Sequence, residues 1–302
     1  VVASIATSRK NMARVPGGEF AMGSADFFPE ERPVHAVAVD PFWIDTHPVT
    51  TIAFQRFVRD TGYVTVAERP LDPADYPGAD PAALVPGALV FTPPSTPVPL
   101  DDWQRWWSYV PGASWRHPGG PGTNLEGRTH HPVTQVAYAD AAAYAAWAGK
   151  QLPSEAQWEF AARGGLHGAI FTWGDEFTPR GRRMANTWLG RFPWEFVPGR
   201  GQAALPGTTK VGTYPPNGFG LFDMAGNVWE WTRDPFRPDH AKPAGSCCAP
   251  GNSGERFPRR VIKGGSYLCA PNYCLRYRPA ARQSQTEDTA TGHLGFRCVT
   301  AD

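Results

Sequence analysis

Gly149-Lys150-Gln151-Leu152-Pro153-Ser154-Glu155-Ala156-Gln157-Trp158-Glu159-Phe160-Ala161-Ala162-Arg163-Gly164-Gly165 is a helix with both of its ends written out. Pro153 leads into a Ser154 N-cap, Gln157 stands three residues on to complete a capping box, Trp158 and Phe160 lie inside, and Gly164-Gly165 stops it. Two more helices are read outward from this one. Thr50 caps a segment whose Phe54, Phe57 and Val58 share a face and which ends at Gly62, and Asp140 caps the Ala-rich run through Trp147 to Gly149. Short alternating runs at Val34 to Val39, Val261 to Lys263 and Phe296 to Val299 predict strands, so the fold class is mixed α/β.

Between these elements the chain is mostly turn. Its 32 Gly and 32 Pro make about a fifth of 302 residues, against roughly 12% in average usage, so regular structure is sparse and the fold is rich in loops. Pro16-Gly17, Pro77-Gly78, Pro111-Gly112, Pro198-Gly199 and Pro215-Pro216 punctuate it, and the tryptophans and phenylalanines between them predict packed rather than disordered loops. The Pro-rich segment from Pro70 to Pro99 reads as an extended surface loop. No boundary separates two cores, and a chain of this length with 41% hydrophobic residues can bury one large one. The expected layout is a short extension over residues 1–14 and a single domain over 15–302.

Charge narrows the partners. With 29 basic and 28 acidic residues the net charge is +1, which gives no electrostatic case for nucleic acid or an anionic membrane surface. Val1 to Ala13 hold too short an apolar run for a secretory signal, and no stretch of 18 apolar residues follows. Five cysteines are an odd count and too few to staple a chain of this size, which points to a reducing cytoplasm.

Two of those cysteines carry the best chemical clue. Cys269 and Cys274 stand five apart in Gly264-Gly265-Ser266-Tyr267-Leu268-Cys269-Ala270-Pro271-Asn272-Tyr273-Cys274-Leu275-Arg276-Tyr277-Arg278, where a short turn can bring both sulfurs to one side. Such a pair can be a structural disulfide, two buried thiols, a redox dithiol or a clamp for a soft cation such as Cu(I); zinc would want four ligands. Arg276 and Arg278 can lower a thiol pKa if they turn inward, and the hydroxyls of Ser266 and Tyr273 can bond a thiolate, a small ligand or merely the loop backbone. In Gly220-Leu221-Phe222-Asp223-Met224-Ala225-Gly226-Asn227-Val228-Trp229-Glu230-Trp231, Asp223 and Glu230 bracket a glycine turn whose carbonyls could join them around Ca²⁺; the alternative is an acidic pair neutralised by arginine over core tryptophans. Trp103, Trp106 and Trp107 with Trp115 form either core or the wall of a peptide groove. The eight histidines show no metal-binding spacing, and Cys247-Cys248 reads as incidental.

Four motifs then fall in register along nearly the whole chain: Val15-Pro16-Gly17-Gly18-Glu19-Phe20-Ala21-Met22-Gly23-Ser24, Gly149 to Glu159, Gly226 to Trp231, and Gly295-Phe296-Arg297-Cys298. Together they resemble the formylglycine-generating, or sulfatase-modifying factor, family. The resemblance implies a loop-rich single domain related to the C-type lectin fold and tied by calcium. It also implies an activity: oxidation by O₂, with a thiol reductant, of the cysteine in a Cys-x-Pro-x-Arg segment of an unfolded sulfatase to Cα-formylglycine. Relatives on this scaffold without the activity include inactive paralogues that lack the Cys pair and iron-dependent sulfoxide synthases with an added helical domain.

By the same resemblance Cys269 and Cys274 hold Cu(I), Ser266 and Tyr273 border the reacting centre, and Trp229, Arg276, Trp103 and His293 belong to the substrate and oxygen pocket. Asp223, the carbonyls of Gly226 and Val228, and Glu230 match a calcium site. For a second one Asn186 and the Thr187 carbonyl match, but the family's aspartate falls within Arg200 to Leu205, where this chain has no carboxylate. Ala145 and Pro279 replace structural cysteines of secreted vertebrate relatives, leaving Cys298 without a partner. Two other classes remain to be separated from the copper oxidase: a lectin-like binding module without chemistry, and a metal-free dithiol oxidoreductase.

Overall fold

The Ser154 capping box forms as read. In the computed structural model, which describes residues 9–199, 204–241 and 256–302, the Ser154 hydroxyl accepts from Gln157 N and the Gln157 side chain accepts from Ser154 N, each at 3.0 Å. The helix α3 runs Glu155–Arg163 and ends on left-handed Gly164. The first helix, α1 (Thr51–Thr61), starts at the Thr50 cap and ends at left-handed Gly62, also as expected. The helix α2 (Tyr138–Trp147) differs at its start. Asp140 is its third residue rather than its cap, reaching back to accept from Ala137 N at 2.9 Å. Its other oxygen accepts from Tyr63 Oη and Val66 N, so the carboxylate joins α2 to the chain leaving α1.

Two sheets organise the strands. β1 (Met12–Val15), β4 (Phe42–Asp45) and β11 (Val299–Ala301) form an antiparallel three-stranded sheet in the order β1-β4-β11. Because β1 pairs in this sheet, the boundary expected after residue 14 runs through a strand; Met12 and Val15 are its buried positions. The second sheet has the order β10-β7-β8-β9, from β7 (Trp229–Pro235), β8 (Arg259–Lys263), β9 (Arg282–Thr286) and β10 (Leu294–Gly295), with only the β10–β7 pair parallel. Two hairpins complete the set: β2 (Gly18–Met22) with β3 (His35–Val39), and β5 (Gly87–Phe91) with β6 (Trp107–Pro111).

Three sequence expectations need correction or limits. The segment from Pro70 to Pro99 is not one extended loop: it holds 3-10 turns at Pro73–Asp75 and Pro81–Ala83 and the whole of β5. The strand expected over Phe296 to Val299 is split, because Cys298 N donates to the Asp45 carboxylate at 2.9 Å instead of extending a ladder, and Arg297 turns inward. Cys247-Cys248 lie outside the described residues.

Between α3 and the second sheet lies a lattice of buried charge. Lys263 is fully buried, with Nζ 3.0 Å from Glu159 and further bonds to Glu155 and the Ala280 carbonyl. Arg282 makes a two-pronged bond to Glu155, and Arg163 closes onto Glu159. On the other side of α3's Trp158, whose indole donates to Glu230, the Glu230 carboxylate is held at both oxygens by Arg297 at 2.7 and 2.8 Å. These pairs set the register between helix and sheet, since a buried charge tolerates only the geometry that pairs it. Among the described residues no helix is long and apolar enough to cross a membrane.

Lys263→Met removes the buried cation shared by Glu155 and Glu159, leaving one arginine to each, and is expected to destabilise the protein by about 3–5 kcal/mol in denaturant unfolding, beyond the ordinary run of core substitutions. Burial raises the Asp140 pKa from 3.8 to about 6. The native state therefore binds the extra proton between those values, and Asp140 contributes more stability as pH falls. The cost of Asp140→Asn, read as a difference in unfolding free energy, is expected to grow by about 1–3 kcal/mol from pH 7 to pH 4; a cost independent of pH would refute it.

Candidate thiol site

The loop between β8 and β9 carries both sulfurs. It opens on Gly264 and Gly265, whose φ values of +93° and +69° favour glycine. Space demands it as well: a Cβ at Gly265 would lie 2.9 Å from the Arg276 carbonyl oxygen and 3.0 Å from Tyr277 Cα. The two ends of the loop therefore touch backbone to backbone, and residues 266–275 close into a compact ring of turns. Cys269 N donates to Ser266 O, Tyr273 N and Cys274 N both donate to Ala270 O, and Arg276 N returns to Cys274 O.

This folding brings Cys269 Sγ and Cys274 Sγ to 2.9 Å, both as free thiols. Cys269 is 1% exposed and Cys274 7%, so Cys274 presents the more open edge. Ser266 N points at Cys269 Sγ at 3.4 Å, while the Ser266 hydroxyl accepts from Leu268 N, a bond that tightens the turn. Burial drives the Cys269 thiol well up. Cys274 is held below the usual thiol range, first by the hydrogen bond from Cys269 and then by the Arg276 guanidinium. Cys274 is thus the more acidic thiol of the pair.

Arg276 is itself clamped. Its Nη2 sits 2.6 Å from Glu30, and its guanidinium lies 3.8 Å over the Phe28 ring. Next to it, Arg278 forms a buried bidentate pair with Glu31 and lies 3.6 Å over Phe27. The short turn Pro29–Glu31, reached from the far end of the chain, thereby fixes both arginines of the loop. Sequence reading named the arginines and missed their partners; a Pro at the start of an acidic 3-10 turn was visible, but nothing local says what it faces.

The remaining candidate residues are distributed around this centre. Trp229 is buried in the same apolar cluster as Cys269 and Cys274. Its N donates to the His293 carbonyl at 2.8 Å, and the His293 ring meets Trp107 edge-on at 4.8 Å. Burial lowers the His293 pKa to about 3, so the ring is neutral at any working pH. Tyr273 is 39% exposed and stacks on Phe192 at 4.5 Å. Trp103 is half exposed on a 3-10 turn, and its neighbour Trp106, not Trp103, packs against Tyr273 at 5.5 Å. Phe192 and Asn272, which bonds both backbone groups of Phe192, went unnoticed because their contact is formed only by tertiary packing.

The donor chemistry can be tested against the metals the sequence implied. Two facing sulfurs suit a soft monovalent cation, and no cluster of three or more His, Cys, Asp or Glu side chains gathers among the described residues, so a four-ligand zinc site does not fit. The calcium set is less even. Asp223 is buried, with its carboxylate accepting from Gly212 N at 2.8 Å, and burial raises its pKa to about 6, a cost that a nearby cation would relieve. Glu230 has both oxygens bonded to Arg297 and one also to Trp158. At the second location the Thr187 carbonyl accepts from Arg183 at 2.9 Å, and Asn186 Nδ2 donates to Gly207 O and Asn227 Oδ1.

A mixed α/β single domain with a buried thiol pair on a glycine-closed loop fits a sulfatase-modifying-factor type of protein. The family described as sulfatase-modifying factor enzyme 1-like domain matches residues 2–302, and the chain belongs to it. It is 56% identical over 290 residues to the formylglycine-generating enzyme of Mycobacterium tuberculosis, covering 94% of this chain and 96% of that protein. It is 45% identical over 295 residues to that of Thermomonospora curvata, covering 96% and 93%. Among solved structures, PvdO from Pseudomonas aeruginosa shares the fold with a TM-score of 0.61 at 24% identity over 96% of this chain and 94% of that one.

The asymmetric protonation has a direct readout. In native protein Cys274 is expected to be alkylated by iodoacetamide well before buried Cys298, and at a pH below the ordinary thiol value of about 8.5. Arg276→Ala should move the midpoint of that alkylation upward. Equal rates at the two cysteines by peptide mass spectrometry would sink the assignment.

Proposed function

We propose that this chain converts the cysteine of a Cys-x-Pro-x-Arg segment in an unfolded sulfatase polypeptide to Cα-formylglycine, with O₂ as oxidant, a thiol as reductant and Cu(I) held by Cys269 and Cys274. The observation that carries the reading is the pair of buried free thiols at 2.9 Å on the loop that follows β8. High identity to named formylglycine-generating enzymes across the whole chain supports it.

The atoms balance with one O₂ and two electrons and two protons from the reductant: the side-chain CH₂–SH becomes CHO, sulfur leaves as H₂S and the second oxygen as water. Cu(I), when bound, would supply a soft site at which a third thiolate can join the two of the protein and O₂ can be activated. The residues of this chain do the rest. Cys274, the more acidic thiol, and Cys269 would form the soft donor pair, losing their protons as a cation binds. Arg276, fixed by Glu30 and Phe28, offsets the negative charge that accumulates at the sulfurs. Trp229 keeps the inner side apolar, and the exposed face of Tyr273 offers the incoming peptide a hydroxyl beside the pair.

Calcium is proposed as the structural ion at Asp223, where it would offset the cost of a buried carboxylate. A reducing compartment, the cytoplasm, suits a chain whose described cysteines are all free: Cys298 is buried, and Ala145 packs in the same cluster.

The test uses purified protein, a synthetic Cys-x-Pro-x-Arg peptide, O₂ and dithiothreitol, with aldehyde read by mass spectrometry. Aldehyde should form with Cu(I), fall to background with a strong Cu(I) chelator, and drop by at least about 10²-fold in Cys274→Ser. Undiminished turnover under chelation would replace the copper reading by a metal-free dithiol relay. Peptide binding without aldehyde in any condition would leave a binding module.

A further inference from the structure

The loop from Arg183 to Trp188 joins the two halves of the site. Trp188 N donates to the Cys269 carbonyl at 3.0 Å, Asn227 N donates to the Asn186 carbonyl at 2.8 Å, and Asn186 bridges to Gly226. One side of this loop therefore supports the thiol turn, and the other supports the Asp223–Glu230 turn. Asn186 and Thr187 are 2% exposed, so their polar groups must be satisfied internally. Asn186 meets that demand through Gly207 O and Asn227 Oδ1, and Asn227 in turn bonds the backbone of Thr209 in both directions.

The Thr187 carbonyl is met differently. Arg183 Nη2 donates to it at 2.9 Å from four residues upstream, and burial lowers the pKa of that guanidinium, so it stands partly withdrawn from water. A guanidinium is a fixed cation with several donors and can hold carbonyl oxygens together as a bound metal ion would, without needing a carboxylate to neutralise a second charge. A divalent ion placed at Asn186 and Thr187 would compete with that bonded guanidinium. It would also lack the aspartate that the sequence does not supply between Arg200 and Leu205.

We infer that Arg183 is a built-in cation that takes the place of a second calcium ion, so that the 183–188 loop, and through Trp188 the backbone of Cys269, is held by the chain's own guanidinium. Divalent binding is then confined to the Asp223 side, and the Arg183 loop is indifferent to chelators.

Hydrogen exchange by mass spectrometry tests this directly, following the amides of Trp188 and its loop neighbours in protein with 1 equivalent to excess calcium and with EDTA. In the parent chain the protection of this loop should be the same in both conditions. Arg183→Met should speed exchange there by roughly ten-fold or more in either condition. Arg183→Glu, which removes the guanidinium and supplies a carboxylate on a longer side chain, should make the loop's protection calcium-dependent. Loss of the parent loop's protection in EDTA, or full protection retained in Arg183→Met, would overturn the assignment. Whether or not the chain makes formylglycine, these rates report only on the loop.

Discussion

The constraint on which the thiol loop depends is a backbone approach that leaves no room for a Cβ at Gly265. Gly265 lies against the Arg276 carbonyl, and because no Cβ fits there, the chain can leave β8 and return toward β9 with almost no separation. Ten residues are left to turn inside that closure, and the only way to satisfy their backbone is the nested set of bonds to Ser266 O, Ala270 O and Cys274 O. Those bonds aim both sulfurs inward at one another. The rest of the molecule acts on this ring from outside: Trp188 from one loop, Glu30 and Phe28 from another, Trp229 from the sheet.

Rigidity of that kind needs anchors that cannot slide. Apolar contacts carry no directional preference, whereas a buried, hydrogen-bonded ion pair keeps its bonds only in a narrow range of distance and angle. Glu155, Glu159, Lys263 and Arg282 fix α3 to β8 and β9 at the two roots of the loop. Glu31 and Arg278 fix the loop's exit, and Glu230 and Arg297 fix β7 to the chain leading to β11. Net stabilisation from such pairs is small because desolvation cancels much of the Coulomb gain. Their contribution here is geometric: each root of the thiol loop is pinned by charge, and the aromatic cluster of Phe54, Phe57, Tyr144 and Phe296 fills the space beyond.

What the sequence revealed follows from where the determinants lie. Helix ends are local, so Thr50, Gly62, Ser154, Gln157 and Gly164 could be read directly. Asp140 misled because a carboxylate at the third helical position makes a bond resembling that of a cap, and only the backbone of Ala137 tells them apart. β5 hid inside a proline-rich stretch because its partner, β6, lies sixteen residues away, and pairing rather than composition makes it a strand. At the site, the two sulfurs were legible from spacing and glycine. Their neighbours Glu30, Phe28, Phe192 and Trp188 were not, since each comes from a distant segment and has no chemistry of its own to announce it.

The same bookkeeping of charge explains why sulfur, rather than oxygen or nitrogen, is left as the donor at the centre. Glu30 and Glu31 are committed to arginines, His293 is kept neutral by burial, and the Tyr267 hydroxyl donates to the Gly292 carbonyl. Cys269 and Cys274 face each other, with Ser266 N on one sulfur and the Arg276 guanidinium beside the other. A thiolate is less strongly hydrated than a carboxylate and more polarisable, so it can stay buried with one arginine nearby where a carboxylate would need a full partner. The hard donors Glu30 and Glu31 beside the loop are already paired with arginine, whereas two facing sulfurs are the donor type that suits a soft cation. The soft character of the sulfur pair stands out because Glu30, Glu31 and His293 near it are already paired or neutral.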